Sequence, residues 1–245
     1  MERDDTPVGR VLTRREALAV LGMSGITLLG GAPPRGTRST KPPTPFPSCV
    51  VRPEQTEGPY FVDEKLNRSD IRSDPATGAV KEGVPLALAL AVSSLKARAC
   101  APLAGAHVDI WHCDALGVYS DVEDRLFNTV GQRLLRGYQV TDAAGVARFK
   151  TIYPGWYPGR AVHVHFKIRT DPAAARGSEF TSQLYFADAL TDRVHVRAPY
   201  ASKGQRRGRN ADDRIFPDGG DQLLLAPKAV GAGYAATFAI GLELG

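Results

Sequence analysis

The chain has 245 residues, of which 43% are hydrophobic and 23% charged, and it carries a formal net charge of +5. These proportions are ordinary for a globular protein and exclude a chain disordered throughout, while the length admits one large β domain or two small domains. The positive charges form no helical stripe and have no aromatic residues interleaved with them, so nucleic acid is not an expected partner. The densest basic cluster, Lys203, Arg206, Arg207 and Arg209, reads as a solvated loop.

In chain order, the first element is a charged start with Arg14 and Arg15, followed by an apolar stretch from Ala17 to Ala32. This describes an export signal of the twin-arginine type over residues 1–32, too short for a comfortable membrane span. It predicts a periplasmic or extracellular protein, with retention through an uncleaved signal left open. Pro33, Pro34, Pro42, Pro43, Pro45 and Pro47 then mark an extended linker over residues 33–48. The folded domain is expected over residues 49–245. Its three cysteines, Cys49, Cys100 and Cys113, lack CxxC spacing. In an exported protein, one disulfide and one buried thiol are expected, and Cys49 with Cys100 is the favoured pair because both fall in predicted loops.

Eighteen prolines and 25 glycines fall between short apolar runs, which favours an all-β fold. Strands are predicted at 86–92, 106–113, 136–141, 146–152, 162–169, 181–187 and 234–241. The segment from Thr141 to Gly145 reads as the turn of a hairpin joining two of them. Segments 120–132 and 195–220 carry few strand signals and read as long loops. The total suggests a β-sandwich with elaborated loops and little helix.

Within strand 162–169, Val162, Val164, Phe166 and Ile168 share one face, and His163, His165, Lys167 and Arg169 the other. Two histidines spaced this way project side by side and can meet one metal ion, although a hydrogen-bonded structural pair fits the same spacing. Tyr157 stands in a Pro-Gly turn just upstream, and Tyr119 closes the segment after strand 106–113. On spacing alone, both tyrosines read equally well as packing residues. His107, His112 and His195 read as structural or surface residues, with His195 at the edge of the basic loop.

The run from Arg136-Gly137-Tyr138-Gln139-Val140-Thr141-Asp142, through Thr151-Ile152-Tyr153-Pro154-Gly155, to Arg160-Ala161-Val162-His163-Val164-His165-Phe166 resembles the core of the intradiol ring-cleavage dioxygenases. That family includes the catechol, hydroxyquinol and protocatechuate enzymes. The resemblance runs from about residue 50 to 240. It implies a non-haem Fe(3+) held by Tyr119, Tyr157, His163 and His165. It further implies Arg160, Tyr157 and Gln183 as catalytic residues, an aromatic diol and O2 as substrates, and cis,cis-muconate-type products. Thr56-Glu57-Gly58-Pro59-Tyr60 also resembles a segment near the start of these domains. The twin-arginine start and Trp111-His112-Cys113-Asp114-Ala115 most resemble the family's exported branch. There is no room for the N-terminal helical dimerisation domain of the catechol enzymes, so the oligomeric state, a homodimer included, stays open. Two other readings compete: an Fe(II) site of two histidines and a carboxylate drawn from Asp109, Asp114 or Asp121, and an exported β-sandwich that binds without catalysis.

Overall fold

The computed structural model describes residues 49–96, 99–171 and 177–244. The predicted export signal and linker lie outside the described residues.

Strand β1 (Pro85–Lys96) is the centre of the first sheet. Its alternation decides its orientation: Leu86, Leu88, Leu90 and Val92 are buried, whereas Ala87 faces outwards and is exposed. On one side it pairs in parallel with β11 (Gly233–Glu243), which carries β10 (Lys228–Val230) at its far edge. On its other side lie β7 (Val146–Ile152) and then β2 (Ala99–Pro102), both antiparallel. The second sheet has the order β6 (Arg136–Val140), β3 (His107–Trp111), β8 (His163–Arg169), β9 (Glu179–Tyr185), with every neighbour antiparallel. Segment 120–132 contains a small ribbon of β4 (Glu123–Asp124) and β5 (Phe127–Asn128). Among the described residues, the one α-helix is α1 (Asp188–His195).

The fold is an all-β sandwich. Its core is the shared inner surface of the two sheets, where Phe166 of β8 packs against Phe238 of β11 with ring centroids 6.1 Å apart. Burying a side chain of this size is worth about 1.5–3 kcal/mol, so the inward row of β8 fixes the strand and, through it, the residues on the opposite face.

The predicted hairpin across Thr141–Gly145 does not form. The turn itself is present, with Asp142 Oδ1 accepting from the amides of Ala144 and Val146 at 2.9 Å each. Its arms, however, enter different sheets. The five residues of β6 match the five of β3, and the seven of β7 match Pro85–Ala91 of β1, so each arm finds a partner of its own length. The turn is a corner between layers. His195, expected as a structural or surface residue at the edge of the basic loop, ends α1 and is structural. It is buried, stacks on Tyr200 at 5.1 Å, and its Nε2 lies 3.0 Å from the Pro154 carbonyl.

The chain enters the domain as a strap over residues 49–61. Cys49 is disulfide-bonded to Cys100, with Cα atoms 5.8 Å apart, and Cys113 is a buried free thiol. Cys100 belongs to β2 rather than to a loop. The strap is sewn to both sheets. Arg52 Nε donates to the Ala239 carbonyl of β11 at 3.1 Å, and Ser182 Oγ of β9 donates to the Pro53 carbonyl at 2.8 Å. Further along, Gln55 N donates to the Thr181 carbonyl at 3.0 Å, and Glu57 is ion-paired with Lys167 of β8. The strap thus covers the face of β8 that carries the histidines.

Candidate metal centre

His163 and His165 are 2% and 1% exposed, while Val164 and Phe166 between and beside them point into the core. His165 lies flat against Trp111, its cross-strand partner on β3, with centroids 5.0 Å apart and planes within 4°. Its other neighbour is the strap backbone at Gly58. There φ is +72°, and an added Cβ would stand 3.3 Å from His165 Cε1, so glycine suits both the conformation and the close approach.

The two tyrosines arrive on loops braced against each other. After β3, the Asp114 carboxylate accepts from the amides of Leu116 and Val118 at 2.9 and 3.0 Å, folding a tight turn that delivers Tyr119. Lys81 anchors the same carboxylate at 2.7 Å. Tyr119 is 1% exposed and stacks on Tyr60 of the strap, with centroids 4.5 Å apart. The Tyr157 loop docks on that turn, because Gly155 N donates to the Asp114 carbonyl at 3.0 Å.

All four side chains converge. Around His163 Nε2 lie His165 Nε2 at 2.9 Å, Tyr157 Oη at 3.2 Å and Tyr119 Oη at 3.4 Å. His163 Nδ1 is 2.7 Å from the Ala161 carbonyl, which requires the proton on Nδ1 and leaves Nε2 with a lone pair. A single lone pair cannot accept from three groups at once, and His165 Nδ1 has no partner among the described residues. Separations of about 3 Å are what ligands about 2.1 Å from one first-row metal ion subtend at right angles. The donors therefore fit a shared cation far better than they satisfy one another.

Electrostatics set the protonation states. Burial first, and then the Arg160 charge, holds the His163 imidazole well below its ordinary pKa; for His165 burial again leads, and both rings are neutral as metal ligands must be. Burial raises the Tyr119 and Tyr157 phenols, so both keep their protons until a cation displaces them.

Arg160 stands beside this cluster. Its Nε donates to Asp213 Oδ2 at 3.1 Å and its Nη2 donates to Gln183 Oε1, the predicted partner. Gln183 Nε2 in turn donates to the Thr56 carbonyl of the strap at 2.9 Å. Every predicted site residue thus lies in one neighbourhood. Sequence reasoning missed Asp213, which is fully buried and also accepts from Ala161 N at 2.6 Å. It sits in segment 195–220, and no local pattern links it to Arg160. Trp111 and Tyr60 have no role in the sequence reading; for Trp111, its place at the end of β3 just ahead of the turn that carries Tyr119 was the available signal. His112 is buried between the Cys113 carbonyl (2.8 Å) and Thr151 Oγ1 (2.7 Å), and His107 stacks on Tyr138, both structural as expected.

Comparisons with known proteins bear on this centre. A dioxygenase family profile matches residues 56–203. The protocatechuate 3,4-dioxygenase beta chain of Burkholderia cepacia is 30% identical over 59% of this chain and 63% of its own. A chlorocatechol 1,2-dioxygenase of Pseudomonas sp. (strain P51) is 33% identical over 35% of this chain and 38% of its own. The matches thus span less than two thirds of these relatives. Among solved structures, an intradiol ring-cleavage dioxygenase from Tetranychus urticae superposes with a TM-score of 0.67 at 29% identity, covering 80% of this chain and 94% of its own. The dioxygenase domain of a carbohydrate-binding fusion protein from Streptomyces sp. SirexAA-E superposes with a TM-score of 0.57 at 29% identity, over 80% and 100% respectively. With the profile covering more than half of the sequence, this chain belongs to the intradiol ring-cleavage dioxygenase family.

Proposed function

We propose that the chain is a non-haem Fe(III) dioxygenase that opens catechol-type aromatic diols between the two hydroxyl-bearing carbons, using O2 to give cis,cis-muconate-type products. The observation that carries this reading is the convergence of Tyr119, Tyr157, His163 and His165 on one buried point.

Two phenolates and two imidazoles are hard donors that would hold ferric iron, and the ion when bound supplies an acceptor that withdraws electron density from a coordinated diol. The chain's own groups do the rest. Tyr157 is only partly buried whereas Tyr119 is sealed, so Tyr157 is the ligand free to swing and take a diol proton at Oη. Arg160, fixed by Asp213 and Gln183, holds a positive charge where negative charge develops on the substrate. Trp111 and the strap backbone at Gly58 cover His165, and Tyr60 covers Tyr119, which keeps water from that side of the cluster.

The Fe(II) reading needs a carboxylate beside the histidines. Asp109 is paired with Arg169 at 2.8 Å, Asp114 with Lys81, and Asp121 accepts from Gly131 N at 2.6 Å. Among the described residues no group of three or more His, Cys, Asp or Glu could share an ion. A purely binding sandwich leaves the crowded lone pair unexplained. Export, of the twin-arginine type, is also proposed; the Cys49–Cys100 disulfide supports it, since such bonds persist in oxidising compartments.

The test is metal analysis with visible spectroscopy, then oxygen uptake against catechol, protocatechuate and hydroxyquinol with product absorbance followed. The expected protein is burgundy, and both colour and iron should fall in Tyr119→Phe and His165→Ala. Undiminished iron in those variants, or a colourless active protein, would refute the assignment.

A further inference from the structure

The outward face of β8 carries His163, His165, Lys167 and Arg169 in succession, and the first two are donors of the metal centre. Lys167 is 6% exposed, and a cation so enclosed is costly unless it is paired. It is paired twice, with Glu57 of the strap and with Glu179 of β9 at 2.6 Å. Its Nζ also stands 4.3 Å from the ring centroid of Phe61, four residues further along the strap than Glu57.

One lysine therefore grips both ends of segment 57–61, and what lies between those ends covers the metal centre. Gly58 sits against His165, and Tyr60 stacks on Tyr119. Phe61 packs on Trp111 with ring centroids 4.8 Å apart, and Trp111 lies flat on His165. Lys167 thus bears on His165 by two routes, through Glu57 to Gly58 and through Phe61 to Trp111.

The backbone gives this segment little help. Among the described residues, no backbone–backbone hydrogen bond ties residues 57–61 to either sheet, and the bond from Gln55 N to the Thr181 carbonyl comes before it. Gly58 N donates within the strap, to Thr56 Oγ1 at 3.2 Å. Tyr60 has two partners, since its Oη donates to Asp124 at 2.9 Å and its carbonyl accepts from Arg136 Nη1 at 3.3 Å. Side chains therefore seat the segment, and Lys167 is the charged one that comes from the strand bearing the histidines.

We infer that Lys167 is a positioning residue of the metal centre: it latches segment 57–61 over His165 and Tyr119 and so governs how readily a bound ion is lost. The inference rests on the metal-centre reading given above and adds to it a residue that supplies no ligand.

The test has two readouts on the full chain. The first is amide hydrogen exchange of residues 55–62 in metal-free protein, which reports opening of the strap whether or not iron is ever bound. The second is the rate at which excess EDTA bleaches the visible band of the iron-loaded protein. Lys167→Met should speed both roughly tenfold, as loss of one largely buried charge contact allows, and should shift the band. Glu57→Ala should speed both as well, and adding it to Lys167→Met should change little more, because the two residues form one contact. Glu179→Gln removes the lysine's partner outside the strap, a carboxylate 52% exposed, and both rates should stay within about twofold of wild type.

Wild-type rates in Lys167→Met and Glu57→Ala would overturn the latch. So would equal acceleration in Glu179→Gln, which marks a lysine that only stabilises the sheet. If Lys167→Met does not fold, Glu57→Ala against Glu179→Gln decides on the same criteria. If exchange follows the expected pattern but wild type binds no iron, the latch on the strap stands and the ferric reading falls.

Discussion

The amide of Gly155 donates to the carbonyl of Asp114 at 3.0 Å, and this one bond joins the loop that carries Tyr157 to the turn that carries Tyr119. The joint has no slack. A Cβ on Gly155 would stand 2.4 Å from the Ala115 carbonyl oxygen and 2.5 Å from that of Asp114, both backbone atoms. Gly155→Ala must therefore push the two tyrosine loops apart, at a cost of about 1–3 kcal/mol typical of overpacking. The expected outcome is reduced iron content and a weakened visible band in a protein that still folds, checked by metal analysis and thermal unfolding. Normal iron content would show that the bond is incidental.

Arg160→Ala should keep iron, because the residue supplies no ligand, and lose about 10²–10³ in turnover, the usual effect of removing a preorganised donor. Asp213→Asn tests the arrangement from behind. Asp213 is fully buried and holds both Arg160 and the Ala161 amide, so its loss should cost stability and turnover together. Steady-state oxygen uptake beside urea unfolding separates the two variants; near-normal turnover in Arg160→Ala removes that residue from the chemistry.

Burial holds the His112 imidazole down at about 4. Its folded pKa is depressed below the unfolded one, so the unfolded chain binds the extra proton first. The contribution of neutral His112 is therefore whole above about pH 6.5 and drains away as the pH falls towards 4, at about 1.4 kcal/mol per pH unit. Glu64 and Asp109, raised to about 7 and about 6 chiefly by burial, act with the opposite sign. The measurement is thus a difference: unfolding free energies of wild type and His112→Gln between pH 7 and 5. Wild type should lose more than the variant over that range, and parallel curves would contradict the prediction.

The Cys49–Cys100 bridge closes a loop with a sequence separation of 51, for which constraint of the unfolded chain predicts about 2–4 kcal/mol. Unfolding with and without reductant should show that loss. Cys113 will not confuse the result, because its thiol is buried and pushed up to about 12, chiefly by that burial.

Much of this molecule is legible in the sequence wherever a short-range pattern suffices. The alternation in β8 placed both histidines on one face, and the Leu-Ala run read correctly as β1, because side chains on a strand repeat every two residues. The Pro-Gly punctuation around Tyr157 announced a turn. What stayed hidden was long-range. The turn at Asp142 looks the same whether its arms pair with each other or diverge into two sheets. Asp213 lies 53 positions after Arg160 and meets it only once the chain between them has folded. The helix Asp188–His195 was not predicted, because its few apolar residues, Leu190 and Val194, leave only a short periodic signal.

The strap has a consequence for the order in which this protein becomes itself. Its residues leave the ribosome before either sheet exists, yet Thr56 and Gln55 find their partners Gln183 and Tyr185 at separations of 127 and 130 residues. Contacts this distant form late and slowly. A shortened chain that ended before β9 would own all four metal donors and still lack the scaffold that seats Gly58 against His165. The pocket in which those four side chains meet is completed only once β9 has joined the sheet.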